Sequence, residues 1–288
     1  MDKNPHRKSD RLLSVHSLDG LTPDEVQSII RAGRPSAALI HETIRAEGES
    51  ELQRPLSALL VSGFAAGLSM GLSLLIEGML HVQLPDTSWR ELLTSFGYSF
   101  GFLIVVMGRQ QLFTENTLTP ILPLLHHPDF KTLRQVLTLW AIVLSANILA
   151  TWVFAYGLAE VSAFTASERI AFLEVSRHAL ESDFEATFIK AGLAGWLIAL
   201  MVWLMPAAGS ARPFVIILVT YIVGIAGLAH IIVGSVEVAY LVVMGEADLT
   251  AYFFDFFVPT LSGNVLGGVL LVAALNHGQI ARELKKEE

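Results

Sequence analysis

Six apolar stretches dominate the chain: Leu56 to Leu80, Leu92 to Leu125, Val136 to Ala159, Phe188 to Ala208, Phe214 to Met244 and Phe256 to Leu275. Each holds 20 or more residues, enough for a helix to cross the roughly 30 Å hydrocarbon layer at about 1.5 Å per residue. With 53% hydrophobic and only 16% charged residues, the chain carries more apolar surface than a soluble core buries, soluble domains averaging about 25% charged residues. The expected fold is all-α: a polytopic membrane protein of six transmembrane helices.

Two of the stretches are too long for simple helices. The second has 34 residues and the fifth 31, which as straight rods run about 51 Å and 46 Å. Each has a polar or glycine-rich middle: Gly108-Arg109-Gln110-Gln111-Leu112-Phe113-Thr114-Glu115-Asn116-Thr117 in one, Gly224-Ile225-Ala226-Gly227-Leu228-Ala229-His230 in the other. Both spans are therefore predicted to break near mid-membrane. An internal repeat points the same way. Ser145-Ala146-Asn147-Ile148-Leu149 recurs 117 residues later as Ser262-Gly263-Asn264-Val265-Leu266, and the same offset carries Thr114 to Ile231, beside His230. A repeat of three spans is odd-numbered, so its second copy enters from the opposite side and the fold becomes an inverted repeat. Gly63, Gly67 and Gly71 in the first span and Gly263, Gly267 and Gly268 in the sixth are expected to let helix backbones approach closely.

The chain divides into a cytoplasmic segment 1–54, a transmembrane domain 55–278 and a cytoplasmic tail 279–288. In the first, Thr22-Pro23-Asp24-Glu25 reads as a capping box, and Ile29, Ile30, Ala37, Ala38 and Ile44 interleave with charges as in an amphipathic helix lying on the membrane face. The first 50 residues lack a secretory signal pattern. With both termini inside, fourteen Lys and Arg fall on the cytoplasmic side and four outside, as the positive-inside rule requires. The chain has no cysteine, which excludes disulfides, thiolate metal ligands and thiol nucleophiles. No H-E-x-x-H, G-x-S-x-G or P-loop pattern occurs, so neither an intramembrane enzyme nor an ATP-driven pump is indicated. No cofactor, metal or nucleic-acid partner is expected.

His230 is the one histidine deep in an apolar span. An ionisable group there is costly and by default faces an interior or a pathway. An apolar setting disfavours the imidazolium, so the ring is expected to rest neutral and offer an N–H, which suits passage of a small monobasic anion. Thr114, Glu115, Asn116, Thr117 and Thr119 supply polar groups at the other break; Thr117 and Thr119 read as caps, Thr114 as both cap and pathway residue. Arg109, inside a span, needs a partner or water, and Glu115, Glu77 and Glu237 are all candidates; with Glu115 it would form an intramembrane ion pair. Lys190 reads as an anchor at the outer end of the fourth span or a lure for anions, while Glu160, Glu168, Glu174, Glu181, Asp183 and Glu185 make that outer loop acidic.

Taken together, Leu112-Phe113-Thr114, Gly227-Leu228-Ala229-His230 and Gly263-Asn264-Val265-Leu266-Gly267-Gly268 resemble the signature set of the formate/nitrite transporters, over roughly residues 55 to 280. The resemblance implies an aquaporin-like fold in a bacterial inner membrane, assembled as a homopentamer with one pore per subunit. It implies transport of formate, nitrite, hydrosulfide or a similar anion, with protons, past a histidine that His230 matches and a loop threonine that Thr114 matches. The implied pathway also takes in Leu112, Phe113, Tyr98, Phe102, Val223, Asn116, Asn264 and Lys190. Three departures stand out. Ala229 replaces the acidic residue that commonly precedes the histidine, Tyr98 and Val223 stand where the family places phenylalanines, and the first loop is unusually charged. The expected function is transport of a small monovalent anion or its conjugate acid. The alternatives are a channel for small neutral solutes and a member that has lost transport.

Overall fold

The computed structural model describes Thr22 and residues 35–275. Only Thr22 of the expected capping box falls among them, and the 279–288 tail lies outside the described residues. The chain is built of helices α1 (Ala37–Leu52), α2 (Leu56–Gln83), α3 (Arg90–Thr94), α4 (Ser99–Met107), α5 (Ile121–His126), α6 (Phe130–Glu160), α7 (Ala166–Arg177), α8 (Phe184–Ala208), α9 (Arg212–Ile225), α10 (Ile231–Val243) and α11 (Val258–Leu275). A single 3-10 turn at Glu115–Thr117 precedes α5, and a π-helical turn at Ala251–Phe257 leads into α11. Among the described residues five stretches are long and apolar enough to cross a membrane. One of them, Phe184–Ile225, is two helices, because Gly209 with φ of +51° turns the chain between α8 and α9.

Local chemistry sets the helix ends. Ser36, Asp129, Thr165 and Asp183 each cap the helix that follows by accepting a backbone N–H, and Thr165 with Glu168 completes a capping box. Helix α1 turns His41, Ile44 and Gly48 inward and lies against α5. Its other face carries Glu42, Arg45 and Glu49, which pair with one another. The sequence placed a surface helix in this segment, and the described part of it is Ala37–Leu52.

Both breaks are present and are built alike. In the first, Gly108 N–H, Arg109 N–H and Gln110 N–H reach back to Ile104, Val106 and Val105; in the second, Ala226, Gly227 and Leu228 reach back to Ile222, Gly224 and Val223. Arg109 and Gly227 occupy the same turn, each with positive φ, 51° and 56°. These paired positions are 118 residues apart, whereas Asn147 and Asn264 are 117 apart. The second half has one residue fewer between its break and its last helix, so the uniform offset read from the sequence slips by one at the breaks.

Within each half the first and last helices, α2 with α6 and α8 with α11, make the most extensive packing in the molecule. Glycine makes this approach possible. A Cβ on Gly67 would run into the carbonyl of Asn147, and one on Gly267 into the carbonyl of Gly192. Backbone cannot swing aside as a flexible side chain can, so Gly267→Val is expected to cost about 2 kcal/mol or more, read as a lower thermal midpoint in detergent. An unchanged midpoint would show that the two helices do not meet this closely.

Candidate functional site

The two breaks meet. His230 is the N-cap residue of α10, and its Nδ1 accepts the N–H groups of Ile232 and Val233, both at 3.3 Å. An imidazole nitrogen that accepts cannot also carry the hydrogen, so the proton of the neutral ring sits on Nε2. Nε2–H then donates to Thr114 Oγ1 at 2.8 Å. The donated hydrogen occupies the threonine oxygen and leaves the hydroxyl's own hydrogen to point elsewhere. Both residues are buried. The sequence reading left open what would orient the ring once Ala229 stood in place of an acid; the unsatisfied N–H groups at the start of a helix do it instead.

Aromatic rings continue the line on either side. Phe102 meets His230 edge-on with ring centroids 4.9 Å apart, and Tyr98 lies 5.5 Å from Phe102. Gly224, next to Val223, admits the Tyr98 ring against its backbone. On the other side of Thr114 stand Leu112 and Phe113, both buried, with Phe113 edge-on to Trp140 at 5.9 Å. Tyr98, Phe102, His230 and Thr114 thus form a contiguous column of contacts, with Leu112 and Phe113 directly before Thr114 in the chain and Val223 next to Gly224.

Asn264, Asn116 and Lys190 form hydrogen bonds to groups outside that column. Asn264 Oδ1 accepts Ile231 N–H at 2.8 Å, while Nδ2 donates to the carbonyls of Ala191 and Ala229 at 2.8 and 2.9 Å. Asn147 does the same for the first break: Oδ1 accepts Phe113 N–H at 2.9 Å, and Nδ2 donates to Gly63 and Gln111 carbonyls at 2.7 and 3.0 Å. The repeated asparagine is the clamp that pairs the backbone groups each break leaves free. Asn116 Nδ2 is spent on Gln111 Oε1 at 3.0 Å, and Lys190 Nζ donates to Ser182 Oγ at 2.9 Å, at the start of α8. Thr117, expected as a cap, instead lies within the 3-10 turn and donates back to Thr114 carbonyl at 2.8 Å.

Arg109 takes none of its three candidate partners. Its side chain is 79% exposed and bonds Glu47 of α1 at 2.6 Å, so the Arg109 and Glu115 ion pair is replaced by one to the surface helix. The left-handed backbone at Arg109 ends the helical course of the span there, and the guanidinium lies exposed beside α1. Glu51, also on α1, had drawn no attention in the sequence. It accepts from Thr119 Oγ1 at 2.5 Å and Gln111 Nε2 at 3.1 Å and so ties α1 to the loop of the first break. Burial pushes the Glu51 carboxyl above its ordinary 4.5, against the opposing effect of those two hydrogen bonds. A carboxyl with a raised value in the docked state holds its proton more tightly there. Its contribution is complete below the ordinary value and is lost as pH rises through the raised one. Hydrogen exchange of α1 amides, corrected for intrinsic rates, is expected to be severalfold faster near pH 8 than near pH 5, with Glu51→Gln removing the difference. Identical pH profiles for the two proteins would contradict this.

A family model described as formate/nitrite transporter matches residues 38–278. The inner membrane protein YfdC of Escherichia coli (strain K12) is 43% identical over 254 residues, covering 88% of this chain and 82% of that protein. The formate channel BtFdhC of Bacillus thuringiensis is 25% identical over 241 residues, 80% of this chain and 89% of that one. Among solved structures, a pentameric formate channel with formate bound shares the fold with a TM-score of 0.64 at 16% identity, over 81% of this chain and 98% of that chain.

Proposed function

The chain belongs to the formate/nitrite transporter family, and on that premise we propose that each subunit passes a small monobasic anion, or its conjugate acid, along the column from Tyr98 to Thr114. Membership places the protein among transporters rather than enzymes. The observation that carries the reading is the 2.8 Å bond between Nε2–H of His230 and Thr114 Oγ1, which joins the two broken helices at one point. A permeant that accepts hydrogen bonds can take that N–H in place of the threonine oxygen, and Thr114 can turn its own hydrogen to the same guest. The N-terminus of α10 adds the favourable field of a helix start. Phe102 and Phe113 narrow the way on either side and keep bulk water from the donors, where low dielectric makes each hydrogen bond count for more.

The lysine and arginine count puts the Leu56 end of α2 and the Leu275 end of α11 on the cytoplasmic side of a bacterial inner membrane. Five copies assemble in a ring, each with its own passage, as in the pentameric formate channel of the same fold. Purified full-length protein in liposomes tests the function with formate, nitrite and hydrosulfide. Flux severalfold above that of protein-free vesicles, rising as outer pH falls, is the expected result. Flux of formamide at the same rate at every pH, with none of the acids, would favour a neutral-solute channel instead.

A further inference from the structure

Two carboxyl groups stand at the outer end of the column. Glu237 follows His230 by seven residues on α10, two turns and about 10.5 Å further out on the same face. Glu77 follows Met70 by the same seven on α2, and Met70 and Ser73 border Gly101, next to Phe102, while Glu77 borders Gly97, next to Tyr98. Helices α2 and α10 pack together, so the two carboxyls share a level. Their charges reach each other, and both reach Tyr98. Glu77 is only 7% exposed, and its Oε2 is without a hydrogen-bond partner; Glu237 is partly exposed. Among the described residues neither carboxyl has a cation partner.

The surrounding charges give no relief. Glu91, in α3, also faces Glu77. One turn further out His81 is engaged by Glu174 of α7 at 2.9 Å and by Arg90 at 3.2 Å. Arg169 of α7 bonds Val161 carbonyl, and its own carbonyl accepts from Tyr240 Oη at 3.3 Å. The other end of the column is acidic too, since the charges of Glu51 and Glu47 reach Glu115. Like charges in an apolar wall repel, and a shared proton resolves that repulsion. The centre has the opposite character, a helix N-terminus and an N–H donor. His230 cannot be the proton carrier there, because two backbone N–H groups hold Nδ1 and Nε2 already bears its hydrogen.

Resting on the passage proposed above, we infer that Glu77 and Glu237 form a proton-exchanging pair at the outer mouth, which protonates the entering anion so that neutral acid reaches His230. With formate the step balances simply. The step starts from the pair with both carboxyls protonated: one O–H breaks, its proton bonds a formate oxygen to give formic acid, the carboxylate left behind shares its neighbour's remaining proton, and hydronium from the outer solution returns the second. Departures reverse the step. Bare anions meet the carboxyl pair at the outer mouth and are refused, and cations meet a donor in the middle.

The test uses full-length protein in liposomes with labelled formate, an internal pH dye and a current measurement. The unmodified protein is expected to move one proton per formate without net current. Glu77→Gln with Glu237→Gln is expected to slow formate entry at least tenfold at neutral outer pH and flatten its dependence on outer pH, with the Asp pair restoring both. If the double variant does not assemble, Glu237→Gln alone, on the partly exposed side, decides by the same readouts. Unchanged rate and proton count in the Gln variants, while His230→Ala slows flux, overturns the carboxyl pair and leaves the central passage standing. No formate or nitrite flux from the unmodified protein removes the passage and the pair together. Methylammonium current lost in the Gln variants would overturn the proposal in favour of a cation-selective mouth.

Discussion

Replacing His230 by alanine is expected to lower pH-dependent flux of formate or nitrite by roughly ten- to a hundredfold, the rate equivalent of losing one hydrogen bond of about 1.5–3 kcal/mol to a charged or acidic guest. The ring makes two kinds of bond, and they need separating. Nδ1 caps α10, and loss of a cap alone costs about 1 kcal/mol. Nε2–H reaches across to Thr114, and that reach is what the transport reading needs. Asparagine at position 230 keeps a short capping oxygen but cannot present an N–H at the same place. His230→Asn should therefore recover the thermal midpoint lost in His230→Ala while leaving flux low. If His230→Asn transported like the unmodified protein, the imidazole would be a cap and nothing more.

The second large effect is expected at the two clamps. Asn147→Leu leaves Phe113 N–H and the carbonyls of Gly63 and Gln111 without their partner; Asn264→Leu does so for Ile231 N–H and the carbonyls of Ala191 and Ala229. Each unsatisfied buried group costs about 1–3 kcal/mol, and within the hydrocarbon layer no water stands by to replace the lost bond. The Gly63 and Ala191 carbonyls keep their helical partners, so each variant orphans two groups, which amounts to several kcal/mol and a large share of the stability of an ordinary domain. Both variants should assemble poorly and melt far below the unmodified protein. Asn→Asp keeps the acceptor but turns an oxygen towards two carbonyls, so it should rescue little. Normal melting of either leucine variant would mean that the breaks are held by something other than these amides.

The sequence carried the fold through quantities that do not depend on tertiary contacts. Span lengths of 34 and 31 residues cannot be reconciled with unbroken helices, and both breaks lie where the polar and glycine-rich runs put them. The repeat made Thr114 the counterpart of Ile231, beside His230, while the bond between the two side chains is a finding of the structure. What it could not give was the meaning of the repeated asparagine. A side chain's partners depend on which backbone groups are left unpaired around it, and those appear only once both breaks have formed. Asn264 was thus read as a pathway residue and Asn147 as a mere marker. Arg109 was misjudged for a related reason. The hydropathy around it is that of a span, but a single left-handed residue ends the helix there, and Glu47 waits on a helix whose docking no local pattern announces. Glu77 and Glu237 entered only as partners for that arginine. Their common level, seven residues beyond Met70 and His230, is visible only when α2 and α10 lie side by side.

The placement of the two clamps bears on how the protein is made. Asn147 finds every partner it needs between Gly63 and Phe113, all of it upstream, so the first interruption can close as soon as α6 leaves the ribosome. Chains grow at about 5–20 residues per second, which gives this half several seconds to settle alone in the bilayer. The second clamp must wait for α11, the last of the described helices. Biogenesis therefore ends with the docking of a late block onto an early one, and truncation before Asn264 should yield a nascent chain whose first half is already knit and whose second is an open target for membrane proteases.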